Sequence, residues 1–229
     1  MTALPHAARA VVGSVLVLAF DAVLLAIGLG GFAAVARDPR AIALLVVWGL
    51  GGLALALRRP VRGQDVARAN HDLSLMVVLF VVPEFTPMLA ALAARHAWAM
   101  LPHASAVSWG GIALVAAGLV LRIGAMLRLG PRFSPLVAVQ REHALETSGP
   151  YAWVRHPGYL GSLVTCLGGA LAFGSAAMLP LVAIMLAAQL ARVRGEEKLL
   201  ASHFGAAWSE YAAQTGALLP RVGRRRPRA

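Results

Sequence analysis

Long apolar runs separated by short polar breaks dominate the chain, and their lengths match membrane-crossing helices. The first run covers about residues 10–36 and contains a single acidic residue, Asp21, before Arg37, Asp38, Pro39 and Arg40 end it with charge and a proline. A second run, Ala41 to Leu57, lies near the lower length limit for a span. After a polar stretch from Arg58 to Asp72, a third run from Leu73 to Ala94 carries Pro83, Glu84 and Pro87, which predicts a broken helix. The fourth helix is predicted to reach about Leu127, with Ser105 or Ser108 placed to cap it. Gly158 to Ala191 is too long for one span and breaks naturally at Phe173, Gly174 and Ser175, predicting a tight helical hairpin. Beyond Arg192, the residues Leu199, Leu200, Phe204, Trp208 and Tyr211 keep a helical spacing, so an amphipathic helix is expected to continue out of the last span. The basic tail from Arg221 to Ala229 reads as disordered.

The pattern describes an all-α membrane protein of about six transmembrane helices, or five if one span is re-entrant. Composition agrees: 59% of residues are hydrophobic and 14% charged, against about 25% charged in a soluble domain. A net charge of +11 would suggest nucleic acid in a soluble protein. Here the positive residues sit between apolar runs, where they set orientation and meet anionic headgroups, and no nucleic-acid partner is expected. Arg37, Arg40 and Arg95 are assigned to outer loops and the other 18 of the 21 Lys and Arg residues to inner segments, which gives an N-in, C-in topology. The apolar stretch after Arg9 lacks a short core with a cleavage site and reads as the first span rather than a signal peptide. Cys166 is the lone cysteine, so an intramolecular disulfide is excluded and no zinc site is expected. Gly110-Gly111 and Gly168-Gly169 lie within spans, where close helix packing is their expected role.

Candidate chemistry concentrates in two polar stretches, Arg128 to Tyr159 and Arg192 to Tyr211, both assigned to the inner face. Thr147, Ser148, Gly149 and Pro150 have turn composition. His156 precedes Pro157 and is biased to an extended backbone, while Pro157 suits the first turn of a helix. The next span therefore begins there, with free N–H groups able to hold a carboxylate or phosphate. Arg192 and Glu196 are four apart, share a helix face and can pair, either as an ordinary interfacial ion pair or as part of a site. Asp21, Glu84 and Arg122 lie at membrane depth or near its edge, where structural pairing or neutral burial is the first expectation and an acceptor-pocket role the second.

Gly149-Pro150-Tyr151, then Arg155-His156-Pro157-Gly158-Tyr159 with Gly161, then Glu196-Glu197, Phe204-Gly205 and Tyr211, together resemble the isoprenylcysteine carboxyl methyltransferases and their phospholipid methyltransferase relatives. The resemblance covers roughly residues 129–220. It implies binding of S-adenosylmethionine and methyl transfer to a lipophilic, isoprenoid- or lipid-like acceptor at the cytosolic membrane face. By the same resemblance, Tyr151 and Tyr159 offer aromatic faces to the cofactor, and His156, Pro157 and Gly158 form the loop that takes its carboxylate. Gln140, His143, Ala144, Leu145 and Glu146 wall the pocket, Glu196 holds the ammonium or ribose, and Arg192 is the substrate-side arginine. Arg192 and Glu196 are thus the implied catalytic pair, with Glu196, Glu197 or His156 as base if the acceptor needs one. Residues 1–104 become an acceptor-side scaffold, 105–220 the methyltransferase core and 221–229 a tail. Family members often carry a larger residue at the position of Gly158. The Ala-, Arg- and Gly-rich composition suggests a bacterial inner membrane. Two rival readings remain open: a membrane reductase of the sterol reductase type, which binds NADPH and shares an Arg-His–Tyr motif, and a non-catalytic lipid-binding protein.

Overall fold

A computed structural model describes residues 6–56, 65–68, 73–130, 138–140 and 145–221. Eight α-helices account for nearly all of them: α1 (His6–Leu29), α2 (Phe32–Arg37), α3 (Pro39–Ala56), α4 (Leu73–Arg95), α5 (Ala104–Leu129), α6 (Pro157–Leu171), α7 (Leu179–Phe204) and α8 (Ala206–Gln214). The segments Ala8–Leu29, Pro39–Ala56, Val77–Arg95 and Ala104–Leu129 are each long and apolar enough to cross a membrane. α6 has 15 residues, and α7 turns charged from Arg192 onward, so length and composition alone establish four spans where the sequence suggests six. The fold class is that of an all-α membrane protein. To it is added a small ribbon in which β1 (Asp65–Arg68) pairs antiparallel with β2 (Ala138–Gln140), Asp65 opposite Gln140. Periodicity could not reveal it, because the strands are three or four residues long and some 70 residues apart.

The apolar run of residues 10–36 is broken by Gly30 and Gly31, whose φ values of +93° and +136° a side-chain-bearing residue rarely adopts. α4, in contrast, runs straight through Pro83 and Pro87 instead of breaking at Glu84. Within it, Thr86 donates its hydroxyl to the Val82 carbonyl at 2.6 Å. α5 begins at Ala104 behind His103, which sits in the left-handed region, and Ser108 donates back to the Ala104 carbonyl rather than capping. The hairpin turn falls between Leu171 and Leu179, around the expected Phe173-Gly174-Ser175. The C-terminal amphipathic stretch is two helices, divided at Gly205 with φ +55°.

The connectors sort to two ends of the bundle. At one end, Leu101 N–H donates to the Gly174 carbonyl and Ala176 N–H to the Ala99 carbonyl, while the Arg40 guanidinium lies 5.2 Å from the Phe173 ring centre. The strand ribbon, the entry to α6, and α8 occupy the other end. Between them, buried Leu25, Leu44, Ile112, Val115 and Phe173 form a core joining α1, α3, α5 and the hairpin turn. Val15, Leu16, Val46, Leu50 and Val120 point outward, the expected surface of a bundle solvated by lipid. Within it, Asp21 on α1 lies beside Glu84 on α4.

α5 and α6 make the most extensive helix contact of the fold, and glycine is the reason. A Cβ on Gly118 would lie 2.6 Å from the Gly161 carbonyl oxygen, and one on Gly111 would lie 2.8 Å from that of Gly168. The two pairs are seven residues apart on each helix, so the same seam repeats after two turns. Backbone-to-backbone approach of this kind is how helices associate where apolar burial supplies no driving force. The seam fixes the register of α6, and with it the position of the residues at its entry.

Candidate functional site

The entry to α6 is built by backbone first. A 3-10 turn over Gly149–Ala152 precedes it, and Pro157 holds the first helical position behind His156, whose φ of −124° and ψ of 60° fall short of the extended backbone expected before a proline. Arg155 N–H donates to the Gly216 carbonyl at 2.8 Å and His156 N–H to that of Ala217 at 3.0 Å, so the chain after α8 clamps the entry. Tyr211 adds its hydroxyl to the Tyr151 carbonyl at 2.7 Å. Burial pushes the Tyr211 phenol up to about 12, so the group stays a neutral donor.

Two polar networks follow from this placement. In the first, Glu197 accepts from Arg155 Nε at 2.8 Å and Nη2 at 2.7 Å, and lies 3.2 Å from His156 Nε2. Arg155 also donates to the carbonyls of Ala212 and Thr215 and lies over the Trp208 ring at 5.8 Å. Burial alone would raise the Glu197 carboxyl, but the hydrogen bonds from His156 and Arg155 outweigh it and hold it below the ordinary carboxylate range. Glu197 thereby anchors α8 through Arg155.

In the second, Arg192 Nε donates to the Tyr159 hydroxyl at 2.7 Å, and that hydroxyl donates to Glu196 Oε2 at 2.7 Å. Arg192 and Glu196 share a face of α7 as their spacing predicts, and they meet through a tyrosine. The Tyr159 ring stacks on His156 with centres 5.6 Å apart and lies 5.7 Å from the Arg192 guanidinium carbon. His156 Nδ1 is 4.0 Å from Glu196.

These side chains open onto one cleft of about 260 Å³ between α4, α5, α6 and α7. Tyr151, His156, Gly158, Tyr159, Arg192 and Glu196 line it, while Pro157 is buried behind them. A Cβ on Gly158 would meet nothing within 4 Å, so a larger residue there would project into open space. Leu145 and Glu146 are not among the lining residues. Glu146 instead accepts from the Ser148 N–H at 3.1 Å and pairs with Arg128 at 3.5 Å, holding the turn before the 3-10 segment. Gln140 lies in β2, and His143 and Ala144 fall outside the described residues. Among the described residues no group of three or more His, Cys, Asp or Glu could hold a metal.

The cleft also contains residues that sequence reasoning left out or left undecided. Leu79 and Phe80 of α4 with Met126, Leu129 and Met185 make its apolar side. Arg122 lines it, donating to Ser162 and, at 3.4 Å, to the Gly158 carbonyl. Gln189 lines it as well, a single amide in an otherwise apolar run, which is the signal that could have drawn attention to it.

Residues 111–202, which include the α5–α6 seam and both networks' residues on α6 and α7, match the model of the isoprenylcysteine carboxyl methyltransferase family. Over these residues the chain is similar to this family. A protein-S-isoprenylcysteine O-methyltransferase of Schizosaccharomyces pombe is 34% identical over 108 residues, 46% of each chain. The enzyme of the same name from Tribolium castaneum is 34% identical over 115 residues, covering 48% of this chain and 40% of the relative. One from Arabidopsis thaliana is 31% identical over 119 residues, 49% of this chain and 58% of the relative. The chain thus spans about half the length of the curated relatives it matches. A solved structure of a eukaryotic intramembrane Ras methyltransferase of the isoprenylcysteine carboxyl methyltransferase family superposes with a TM-score of 0.52 at 24% identity. It covers 89% of this chain and 75% of that one. At that identity the likeness establishes the fold, which extends well beyond the matched family segment.

Proposed function

We propose that the protein is an integral-membrane methyltransferase that uses S-adenosylmethionine to methylate a lipophilic, isoprenoid- or lipid-like acceptor. The observation that carries this reading is one cleft with a charged, aromatic end and an apolar end, lined mostly by the family-matched segment. The cofactor would supply an electrophilic methyl group on a sulfonium. A cation, a carboxylate, an ammonium and a ribose need aromatic faces, an anion and hydrogen-bond donors, and Tyr151, Tyr159, Glu196 and the α6 entry offer that set. His156, Pro157 and Gly158 form the entry, with the loop from Gln140 through His143, Ala144, Leu145 and Glu146 nearby in sequence. Among these loop residues, Glu146 supports the wall through Ser148 and Arg128 rather than lining it.

Arg192 and Glu196 are the proposed catalytic pair. Tyr159 fixes both in one geometry, so the guanidinium can orient the acceptor while the carboxylate holds the cofactor. The apolar side excludes water from the reacting atoms, which favours a step in which charge is lost. A carboxylate acceptor needs no base. The asymmetric distribution of Lys and Arg supports an N-in, C-in arrangement with this end of the bundle in the cytosol, in a bacterial inner membrane by composition. The NADPH reading is less well supported, since Pro157 and the Glu196-Glu197 pair fit the methyltransferase pattern.

The test is S-adenosylmethionine binding to detergent-purified protein by calorimetry, beside Glu196→Ala and His156→Ala. Binding weakened by both substitutions is expected. A folded protein that binds NADPH but no S-adenosylmethionine would refute the proposal.

A further inference from the structure

Gln189 is 1% exposed, and among the described residues neither its Oε1 nor its Nε2 has a hydrogen-bond partner. Buried amides are almost always satisfied, because leaving one dry opposes folding, and an apolar residue of the same shape would be tolerated better. Gln189 is also part of the cleft wall. On α7 it lies between Met185, four residues earlier, and Arg192, three later, and these with Glu196 form one cleft-lining face. Polarity along that face climbs from thioether to amide to guanidinium to carboxylate. The amide is thus the boundary between the apolar end, walled by Leu79, Phe80 and Met126, and the charged end.

We propose that Gln189 is the acceptor-selecting residue of the cleft: its amide pairs with a group carrying both a donor and an acceptor, such as a secondary amide, at the head of an apolar chain. A carboxylate alone would satisfy Nε2 and leave Oε1 dry, whereas a secondary amide satisfies both atoms with its own N–H and carbonyl. A site holding a buried amide discriminates against a ligand lacking the matching group, because the empty partner stays unpaired. This inference rests on the methyltransferase reading for its catalytic readout but not for its binding readout.

The test compares wild type with Gln189→Met, a change that keeps length and volume and removes both polar atoms. Two probes are used: N-acetyl-S-farnesylcysteine, and S-farnesylthiopropionic acid, which keeps the farnesyl chain and carboxylate and lacks the acetamide. Wild type is expected to favour the amide-bearing probe by about tenfold or more in kcat/KM and in ligand-induced thermal shift, and Gln189→Met to lose that preference. The ligand-free variant is expected to melt at the wild-type temperature or about 2–4 °C above it, since no hydrogen bond is lost. S-adenosylmethionine binding should be the same in both proteins. If neither protein binds S-adenosylmethionine, the methyltransferase reading fails, and the thermal shifts still decide the role of Gln189. A probe preference unchanged by the substitution, no binding of either probe, a markedly less stable variant, or a matching loss of cofactor affinity would each overturn the inference.

Discussion

Arg155→Met should loosen the whole C-terminal clamp, and the size of the effect can be worked from its partners. The guanidinium is 8% exposed and serves the Glu197 carboxylate and the carbonyls of Ala212 and Thr215. Removing one side of a buried ion pair costs about 3–5 kcal/mol, because the other charge and its acceptors are left unpaired. Glu197 retains 27% exposure and can rehydrate in part, which brings the expectation to about 3 kcal/mol. For a chain of this size that corresponds to roughly 6–12 °C in Tm. The assay is thermal unfolding in detergent, with amide hydrogen exchange across α8 as a local readout. The pH dependence provides a second check. Because the folded Glu197 carboxyl lies below its ordinary value of 4.5, its contribution is complete above that pH and is lost as the pH falls through the lowered value. Arg155→Met should flatten that acid limb. A Tm within about 2 °C of wild type and unchanged exchange in α8 would refute the clamp.

Four further outcomes follow from the contacts described above. Tyr211→Phe should cost about 1 kcal/mol at pH 8 by losing the bond to the Tyr151 carbonyl. The wild-type phenol, raised by burial to about 12, gives stability that is full below pH 10 and fades as the pH approaches 12, and this alkaline loss should vanish in the variant. Gly161→Val should destabilise by about 3 kcal/mol or more, since even its Cβ would sit 2.6 Å from the Gly118 carbonyl and 2.7 Å from the Arg122 nitrogen. Gly158→Ala, with nothing near its Cβ, should stay within about 0.5 kcal/mol of wild type, and parallel melts compare the two. Tyr159→Phe should fold normally yet lose roughly 10–100-fold in kcat/KM for a methylated acceptor, because the hydroxyl joining Arg192 to Glu196 is gone. Full activity in that variant would show that the two charged groups need no tyrosine between them.

Much of this was legible along the chain, and the remainder was hidden for identifiable reasons. Apolar run length marked the long helices, and the preference of proline for the first helical turn marked the start of α6 at Pro157. The paired glycines announced close packing, although only the fold shows Gly111 facing Gly168 and Gly118 facing Gly161. Pro83 and Pro87 misled, because a helix packed on its neighbours tolerates prolines that an isolated one would not. The i, i+4 rule put Arg192 and Glu196 on one face, but the Tyr159 hydroxyl that joins them comes from a different helix. Glu197, a candidate base by position, is tied down by Arg155, and that contact depends on the docking of α8, which no local pattern encodes. Gln189 was visible only as a polar letter among apolar ones. Its isolation from partners among the described residues is a three-dimensional fact.

The shortness of α6 bears on where in the bilayer such a site works. Fifteen residues span about 22 Å, well under the hydrocarbon thickness of about 30 Å. If its far end reaches one headgroup plane, its proline end stops several ångströms beneath the other, carrying histidine and tyrosine down with it. The bilayer must then thin around that helix, or water must dip to meet it. In either case water and acyl chains would both come close to the cleft, and a substrate with a long tail would not need to leave its leaflet to be presented. Hydrophobic mismatch, usually a problem for a membrane protein, would here set the depth at which soluble cofactor and lipid-borne acceptor meet.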